Sequence, residues 1–209
     1  MNGIFVSFEG IEGSGKSTQA RLLGEYLRGK GREVVTTEEP GGTEIGRAIR
    51  AVLLDVRNKA MDSMTELLLY NASRAQHLRD VIIPSLDRGM VVITDRFSDS
   101  TLAYQGYGRG IEHSIIRTID RIATNGIMPD ITILLDIDVE TGLRRNIGVG
   151  KDDRFEQEDI DFHRKVRAGY LDIAGMQPDR IFIIDAANTV EAIHKQIIEV
   201  IERRCLLRT

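Results

Sequence analysis

With 209 residues, of which 42% are hydrophobic, the chain is too short for two large domains and long enough for one domain that buries its own core. The single cysteine, Cys205, excludes a disulfide scaffold and a cysteine-rich zinc module, and it indicates a reducing compartment, which we expect to be the cytoplasm. The net charge of −4 gives the molecule as a whole no electrostatic attraction to nucleic acid or acidic lipid, so any polyanion has to be bound locally.

Short apolar runs and longer helical segments alternate along the chain. The runs predict five strands, at residues 4–8, 33–37, 90–94, 131–136 and 180–185. The other segments predict helices, at residues 16–28, 44–54, 62–87, 114–125, 139–146, 158–174 and 190–203. Because the predicted strands are nearly continuous hydrophobic runs that alternate with helices, we expect a three-layer, doubly wound α/β fold whose parallel sheet binds ligands at the carboxyl ends of its strands. No apolar run approaches the ~20 residues of a membrane helix, so we expect neither a membrane span nor an export signal.

One stretch interrupts this alternation, at residues 147–157. It reads IGVGKDDRFEQ, with two glycines, a cluster of charges and little apolar content, and it lies between two predicted helices. Such a stretch is either a mobile surface element or an ordinary loop between helices. We expect a single domain, residues 1–209, with a mobile lid at about 147–157.

A glycine-rich motif directly follows the first predicted strand. Residues 10–17 read GIEGSGKS, which fits G-x-x-x-x-G-K-[ST], and a helix is predicted to start near Lys16. The glycines let several backbone N–H groups turn inward, and the helix adds the positive end of its dipole. Such a loop holds the phosphates of a nucleoside triphosphate, with Lys16 on the β- and γ-phosphates and the Ser17 hydroxyl on Mg²⁺. The alternative, a glycine-rich turn that matches by chance, does not explain the strand before the motif and the helix after it.

The motif by itself leaves the reaction open. A GTPase would carry Asn-Lys-x-Asp, whereas the only Asn-Lys pair, Asn58-Lys59, is followed by Ala60-Met61. Transporter and motor ATPases are much larger chains. These exclusions leave a small phosphotransferase or, as a different class, a module that binds a nucleotide without turnover.

A phosphotransferase needs a second site for an anionic acceptor. Suitable residues follow the strands: the turn EEPGGT at 38–43 after the second, and Asp95-Arg96 after the third. On the long predicted helix, Tyr70 and Arg74 lie four residues apart and share a face, which offers a ring to stack on a base and a guanidinium to hold a phosphate. Each residue also has a structural explanation when taken singly: Tyr70 as a core aromatic, Arg74 as a surface charge, and Asp95-Arg96 as a local ion pair.

Taken together, these segments resemble the thymidylate kinase family. The residues that carry the resemblance are FEGIEGSGKST at 8–18, EPGGT at 39–43, Asp95-Arg96, AYQG at 103–106 and DRFE at 153–156. The resemblance extends over nearly the whole chain, from residue 4 to about 201. It implies the P-loop fold of the nucleoside monophosphate kinases and transfer of the γ-phosphate of ATP to thymidine 5′-monophosphate, with Mg²⁺, by a homodimer.

The resemblance also implies roles for individual residues. On the ATP side it implies Gly10, Ile11, Glu12, Gly13, Ser14, Gly15, Lys16, Ser17, Thr18 and Ala187, and for the metal Ser17 and Asp95. On the thymidylate side it implies Glu12, Glu39, Pro40, Arg50, Tyr70, Arg74, Arg96, Ser100, Tyr104 and Gln105. In this scheme Glu12 accepts a hydrogen bond from the 3′-hydroxyl, Tyr70 stacks on thymine, and Gln105 lies near the pyrimidine edge. The catalytic residues it implies are Lys16, Arg96, Glu12 and a cation from the lid.

The sequence departs from the family pattern in the lid, which is expected to supply this cation. The sequence resembles the bacterial-type subgroup, in which the loop has no arginine at the position of Gly13 and the lid supplies the charge, which is worth ~10³–10⁵ in rate in related systems. This sequence has Ile147 and Val149 where further arginines are expected. The remaining candidates are Arg145, Lys151 and Arg154. We expect Arg154 to enter the site, with Arg145 as the second candidate.

No general base is expected for this reaction, because the phosphate oxygens of the acceptor are already ionised near neutral pH. We therefore expect surface or packing roles for the histidines, which are His77, His113, His163 and His194. A kinase of another nucleoside monophosphate or of a deoxynucleoside would share the loop and the lid, and it stays an alternative here.

Overall fold

A computed structural model describes residues 3–146, 154–155 and 157–205. Its strands form one parallel sheet and are β1 (Ile4–Glu9), β2 (Val34–Glu38), β3 (Val91–Asp95), β4 (Ile131–Asp136) and β5 (Ile181–Asp185). Their order in the sheet is β2-β3-β1-β4-β5. The five predicted strands and the parallel α/β fold are confirmed, with strand ends within one residue of the prediction.

Helices pack on both faces of the sheet. They are α1 (Lys16–Gly29), α2 (Glu44–Leu54), α3 (Ser63–His77), α4 (Ile83–Asp87), α5 (Ser98–Thr101), α6 (His113–Thr124), α7 (Val139–Asn146), α8 (Ile160–Met176) and α9 (Val190–Cys205). Successive residues of a strand point to opposite faces. Val6 accordingly belongs to an apolar cluster with Leu23 of α1 and Ile197 of α9, whereas Phe5 belongs to a second cluster with Ile82.

Two stretches differ from the predicted elements. The helix predicted over 62–87 is interrupted by a π-helical turn at Leu78–Ile82, between α3 and α4. The polar and aromatic stretch after β3, for which no element was predicted, forms α5 and a π-helical segment at Leu102–Gly108. The glycines in this segment are unfavourable for a helix and so obscure its helical pattern in the sequence. They are needed for its packing, because a Cβ on Gly106 would press on His113 and a Cβ on Gly108 would press on Phe162.

The predicted lid at 147–157 lies mostly outside the described residues. Those that are described are Arg154, Phe155 and Gln157, whereas Ile147, Val149 and Lys151 fall outside. The single domain with a mobile lid therefore stays a prediction. Within 3–146, 154–155 and 157–205, no helix combines the length and the apolar character that crossing a bilayer requires.

Candidate active site

A cavity of about 360 Å³ opens at the carboxyl ends of β1, β2 and β3. Of the predicted site residues, it is lined by Glu12, Gly13, Gly15, Lys16, Ser17, Thr18, Glu39, Pro40, Arg50, Tyr70, Asp95, Arg96, Ser100, Tyr104, Gln105 and Arg145. Ligands of doubly wound sheets bind at this edge, because the loops that follow neighbouring parallel strands meet there. The structure thus brings residues of the two predicted subsites, for ATP and for an acceptor, around one space.

The phosphate loop connects β1 to α1 and has the backbone that its glycines allow. Gly10, Gly13 and Gly15 have φ angles of 137°, 70° and 93°, which side chains strongly disfavour. At Gly13 the neighbouring helix adds a second constraint, because a Cβ there would overlap the carbonyl oxygen of Gly142 in α7. This loop consequently has no room for an arginine at position 13.

Lys16 lies buried at the start of α1 and is already directed into the loop. Its Nζ donates to the carbonyl oxygen of Ile11 at 2.8 Å and to Ser14 Oγ at 3.4 Å. Burial, together with the charge of Arg96, lowers the pKa of Lys16 to about 8. The ammonium group is therefore charged at neutral pH and is placed to bind phosphate oxygens.

Two oxygens that line the cavity suit a magnesium ion. Ser17 Oγ donates to Asp95 Oδ2 at 2.5 Å, which brings a hydroxyl of α1 beside a carboxylate at the end of β3. Mg²⁺ prefers such hard oxygen donors and commonly takes only one or two from the protein, with water and phosphate completing its shell. No group of three or more His, Cys, Asp or Glu side chains in the described chain could hold a metal without such outside ligands.

Arg96 is the centre of the acceptor side. Its backbone has a φ of 73°, the left-handed conformation that a non-glycine residue rarely takes. Nη2 donates to Glu12 Oε1 at 3.0 Å and to the Tyr104 hydroxyl at 3.1 Å, while Nη1 donates to Ser100 Oγ at 3.2 Å and to the Tyr170 hydroxyl at 3.1 Å. The guanidinium is held in a fixed orientation by four side chains from three parts of the chain.

The Glu12 carboxylate lies between Arg96 and a buried histidine. Its Oε1 accepts from Arg96 and from Tyr104, at 2.6 Å for the latter, and its Oε2 lies 3.5 Å from Nδ1 of His163. Burial opposes ionisation, but His163, Arg96 and Lys16 outweigh it and hold the pKa of Glu12 well below its usual value. Glu12 is therefore an ionised carboxylate that can accept a hydrogen bond from a ligand hydroxyl.

Several acceptor-side residues are held by partners from other elements. Arg50 lines the cavity and donates from Nη1 to the Pro40 carbonyl at 2.7 Å. Arg74 is fully buried, does not line the cavity, and donates from Nε to Glu39 Oε2 at 2.8 Å. The Nδ1 atom of His77 lies 2.9 Å from the other carboxylate oxygen of Glu39, Oε1. Arg74 and His77 together therefore hold Glu39 in its position at the cavity. The grip of Arg74 on an acceptor phosphate stays a prediction that this placement does not support.

The two candidate cations differ in position. Arg145, at the end of α7, lines the cavity and donates to the Ala186 carbonyl at 2.8 Å, next to the predicted adenine contact Ala187. Arg154 is buried away from the cavity lining and donates to Glu66 Oε2 at 2.5 Å and to the Leu53 carbonyl at 3.1 Å. In this arrangement Arg145 lines the cavity that contains the phosphate loop and Arg154 does not, while the action of either arginine on a phosphate stays a prediction.

Glu9 is a buried carboxylate beside the site that the sequence reading did not select. It accepts from the Phe97 amide at 2.7 Å, from Ser100 Oγ at 2.5 Å and from the Tyr170 hydroxyl at 3.0 Å. Burial, reinforced by the charge of Asp99, raises the pKa of Glu9 to about 7. The signal that could have identified it is a carboxylate at the carboxyl end of a largely apolar strand, where such sheets bind their ligands.

Glu9 should make the stability of the protein depend on pH. The pKa of Glu9 is about 7 in the folded protein against 4.5 in the unfolded chain, so the folded state binds the proton more tightly. The stabilisation that this proton binding contributes is complete below pH 4.5 and is lost as the pH rises through 7. We expect the stability of the Glu9→Gln variant, relative to wild type, to increase from pH 5 to pH 8 by up to about 3 kcal/mol. Urea unfolding of both proteins across this range measures the difference, and a difference independent of pH would contradict the assignment.

The chain is similar to known proteins over nearly its whole length. The family model described as thymidylate kinase matches residues 8–197. A thymidylate kinase of Pelobacter propionicus is 49% identical over 209 residues, covering 97% of this chain and 95% of the relative, and one of Trichlorobacter lovleyi is 50% identical over 189 residues, covering 88% and 89%. A crystal structure of thymidylate kinase from Ehrlichia chaffeensis superimposes with a TM-score of 0.79 at 37% identity, covering 96% of this chain and 99% of that one.

Proposed function

Because the chain belongs to the thymidylate kinase family, we propose that it transfers the γ-phosphate of ATP to thymidine 5′-monophosphate, giving ADP and thymidine 5′-diphosphate. One observation carries the proposal: Lys16 and the phosphate loop share a single cavity with Tyr70, Arg96 and Gln105. A site that joins a triphosphate loop to an aromatic ring and a guanidinium can hold two nucleotides with their phosphates facing each other.

The protein groups act by position and charge. The attacking oxygen belongs to the monophosphate and needs no base, so catalysis consists in aligning it with the γ-phosphate and cancelling the repulsion of the two anions. Lys16 would act on the ATP phosphates and Arg96 on the acceptor phosphate. Glu12 would accept a hydrogen bond from the 3′-hydroxyl of the acceptor, which its low pKa favours.

Ser17 and Asp95 are the residues that would hold Mg²⁺, as their adjacent oxygens support. When bound, the ion neutralises charge on the β- and γ-phosphates. The remaining ATP contacts would come from the backbone of residues 10–18 and from Ala187. On the acceptor side, Tyr70 would stack on thymine, with Glu39, Pro40, Arg50, Ser100, Tyr104 and Gln105 around the nucleotide.

We expect Arg145 to act on the transferring phosphoryl group and Arg154 to act elsewhere. Replacing Arg145 by alanine should lower kcat at least ~10²-fold with little change in the KM for thymidine monophosphate, because a cation used in the transition state contributes mainly to kcat. Steady-state kinetics of Arg145→Ala and Arg154→Ala compare the two. A larger loss of kcat in Arg154→Ala, with an unchanged KM, would restore Arg154 as the lid cation.

We also propose that the enzyme is a cytoplasmic homodimer. Neighbouring helices carry exposed apolar side chains, namely Ile45 and Val52 of α2, Leu68 of α3, and Ile115 and Ile122 of α6. Ile122 is 78% exposed, and an apolar group of this kind on adjacent helices is typical of a buried interface. Ile122→Asp should shift the mass measured by light scattering from dimer to monomer, whereas a wild type that is itself monomeric would contradict the proposal.

A coupled assay of ADP release tests the proposed function. Wild-type enzyme should turn over thymidine monophosphate with ATP and Mg²⁺ in clear preference to UMP, AMP or thymidine. A preference for one of those three would point to a kinase of another acceptor, and binding of ATP without turnover would point to a nucleotide-binding module.

A further inference from the structure

Glu66 is a fully buried carboxylate that the proposed reaction does not use. It lies on α3, one turn before Tyr70, and its exposed fraction is 0%. Its Oε1 accepts from Gln105 Nε2 at 2.7 Å, and its Oε2 accepts from Arg154 at 2.5 Å. Arg109 donates to both oxygens, at 3.3 and 3.2 Å. A buried carboxylate with this many donors is strongly held in place.

The contact with Glu66 determines which atom Gln105 can offer to a ligand. An amide that faces a carboxylate must present its nitrogen, because two acceptor oxygens would repel each other. One of the two Nε2 hydrogens is engaged at 2.7 Å, and the planar amide then directs Oε1 away from Glu66. Gln105 lines this cavity together with Tyr70, so its carbonyl oxygen is available as a hydrogen-bond acceptor beside a base stacked on the ring.

An acceptor at this place distinguishes pyrimidines by their N3 atom. Thymine and uracil carry a hydrogen at N3 and donate, whereas cytosine N3 is an acceptor and would face the Gln105 oxygen with like polarity. Free rotation of the amide would remove this distinction, since Nε2 could then pair with cytosine N3. A site built to hydrogen-bond one edge rejects a mismatched edge strongly only if its own polar groups cannot rearrange.

We propose that Glu66 is a positioning residue that sets base selectivity, by holding the Gln105 amide with its oxygen toward the base so that the enzyme accepts thymine or uracil and rejects cytosine. This inference rests on the proposed function, in which a pyrimidine monophosphate is the acceptor. The same carboxylate holds Arg154, whose neighbour Phe155 lines the cavity and packs its ring 5.7 Å from that of Tyr104, so Glu66 supports the cavity wall through both Gln105 and Arg154.

The test compares kcat/KM for thymidine monophosphate and deoxycytidine monophosphate in each variant, as a ratio that does not depend on the fraction of active enzyme. Glu66→Gln should lower the ratio at least ~10-fold, because an amide at position 66 accepts either orientation of Gln105. The exchange variant Glu66→Gln/Gln105→Glu should restore it, since a carboxylate at 105 can only accept. A purely structural role for Glu66 predicts no such restoration.

Two further variants keep the outcome decisive. Glu66→Asp keeps the negative charge that pairs with Arg109 and Arg154, but its shorter side chain moves the carboxylate away from Gln105. This variant should therefore also lower the ratio. It takes the place of Glu66→Gln if that variant does not fold. Asp99→Asn is the matched control: it removes another buried carboxylate, which pairs with Arg180 at 2.8 Å and does not contact Gln105, and it should leave the ratio unchanged.

The possible results separate this inference from the proposed function. A wild type that turns over thymidine monophosphate, with a ratio that stays at the wild-type value in a folded Glu66 variant, would overturn the role of Glu66 alone. An exchange variant as unselective as Glu66→Gln would also overturn it. A wild type without activity toward thymidine monophosphate would remove the proposed function, and this inference with it.

Discussion

Replacing Lys16 by alanine should reduce kcat by about 10²–10³ while the protein stays folded. The side chain lies at the wall of the cavity, where Nζ donates to the Ile11 carbonyl and to Ser14 Oγ. Water that enters the cavity can satisfy these acceptors in the variant, so little stability is lost, whereas water cannot supply the fixed charge opposite the phosphates. Coupled-assay kinetics together with thermal unfolding measure both consequences.

Lys30 offers a matched control for this substitution. It is an exposed lysine next to the other end of α1, with its Nζ 5.4 Å from the centre of the Tyr26 ring. Lys30→Ala removes the same charge from the molecule and should leave kcat within about twofold of wild type. Equal kcat values for Lys16→Ala and wild type would mean that the phosphate loop does not take part in catalysis.

Replacing Arg96 by alanine should abolish most activity and also destabilise the fold. The guanidinium is the common donor to Glu12, Ser100, Tyr104 and Tyr170, and its removal leaves the partly buried Glu12 carboxylate without one of its counter-charges. Loss of one partner of a fully buried pair costs about 3–5 kcal/mol, and because this pair is only partly buried we take the lower end, about 3 kcal/mol. We expect this decrease in the free energy of unfolding by urea, and a fall of at least ~10³ in kcat/KM for thymidine monophosphate.

Two other arginine variants show whether the loss at Arg96 is specific. Arg96→Lys keeps the charge but cannot reach acceptors on two sides at once, so its activity should fall between those of wild type and Arg96→Ala. Arg21→Ala removes an exposed pair with Glu25 in α1 and should cost only about 0.3–0.5 kcal/mol. An Arg96→Ala protein as stable and active as Arg21→Ala would contradict the structural and catalytic roles together.

Much of the fold could be predicted because its signals are local. Most strands are nearly continuous apolar runs, and the edge strand β2, which reads VVTTE, is rich in β-branched residues. Most helices begin and end within two residues of their predicted bounds. The segment after β3 was missed because its residues coil with a π-helical period and are punctuated by glycines, so no helical pattern of 3.6 residues appears in the sequence. Burial of that segment against α6 and α8 stabilises it, and the sequence does not display that packing.

The site could be predicted where a motif specifies the backbone conformation, and it could not be predicted where side chains far apart in the chain pair with each other. The phosphate loop needs glycines at set spacings, so Gly10, Gly13 and Gly15 identify it in the sequence. Nothing in the spacing of Arg154 tells whether its charge faces a phosphate or, as here, Glu66, which is 88 residues away in the chain.

The amino-acid sequence alone therefore determined the α/β architecture, the triphosphate loop and the kind of acceptor side chains available, because periodicity and motif spacing act over neighbouring residues. Only the tertiary structure decided how those side chains pair: Glu9 with Ser100 and Tyr170, Glu12 with Arg96 and His163, Glu66 with Gln105 and Arg154. The physical reason is that the orientation and ionisation of a buried polar group depend on whichever groups the fold brings within about 3 Å of it, at any separation along the chain.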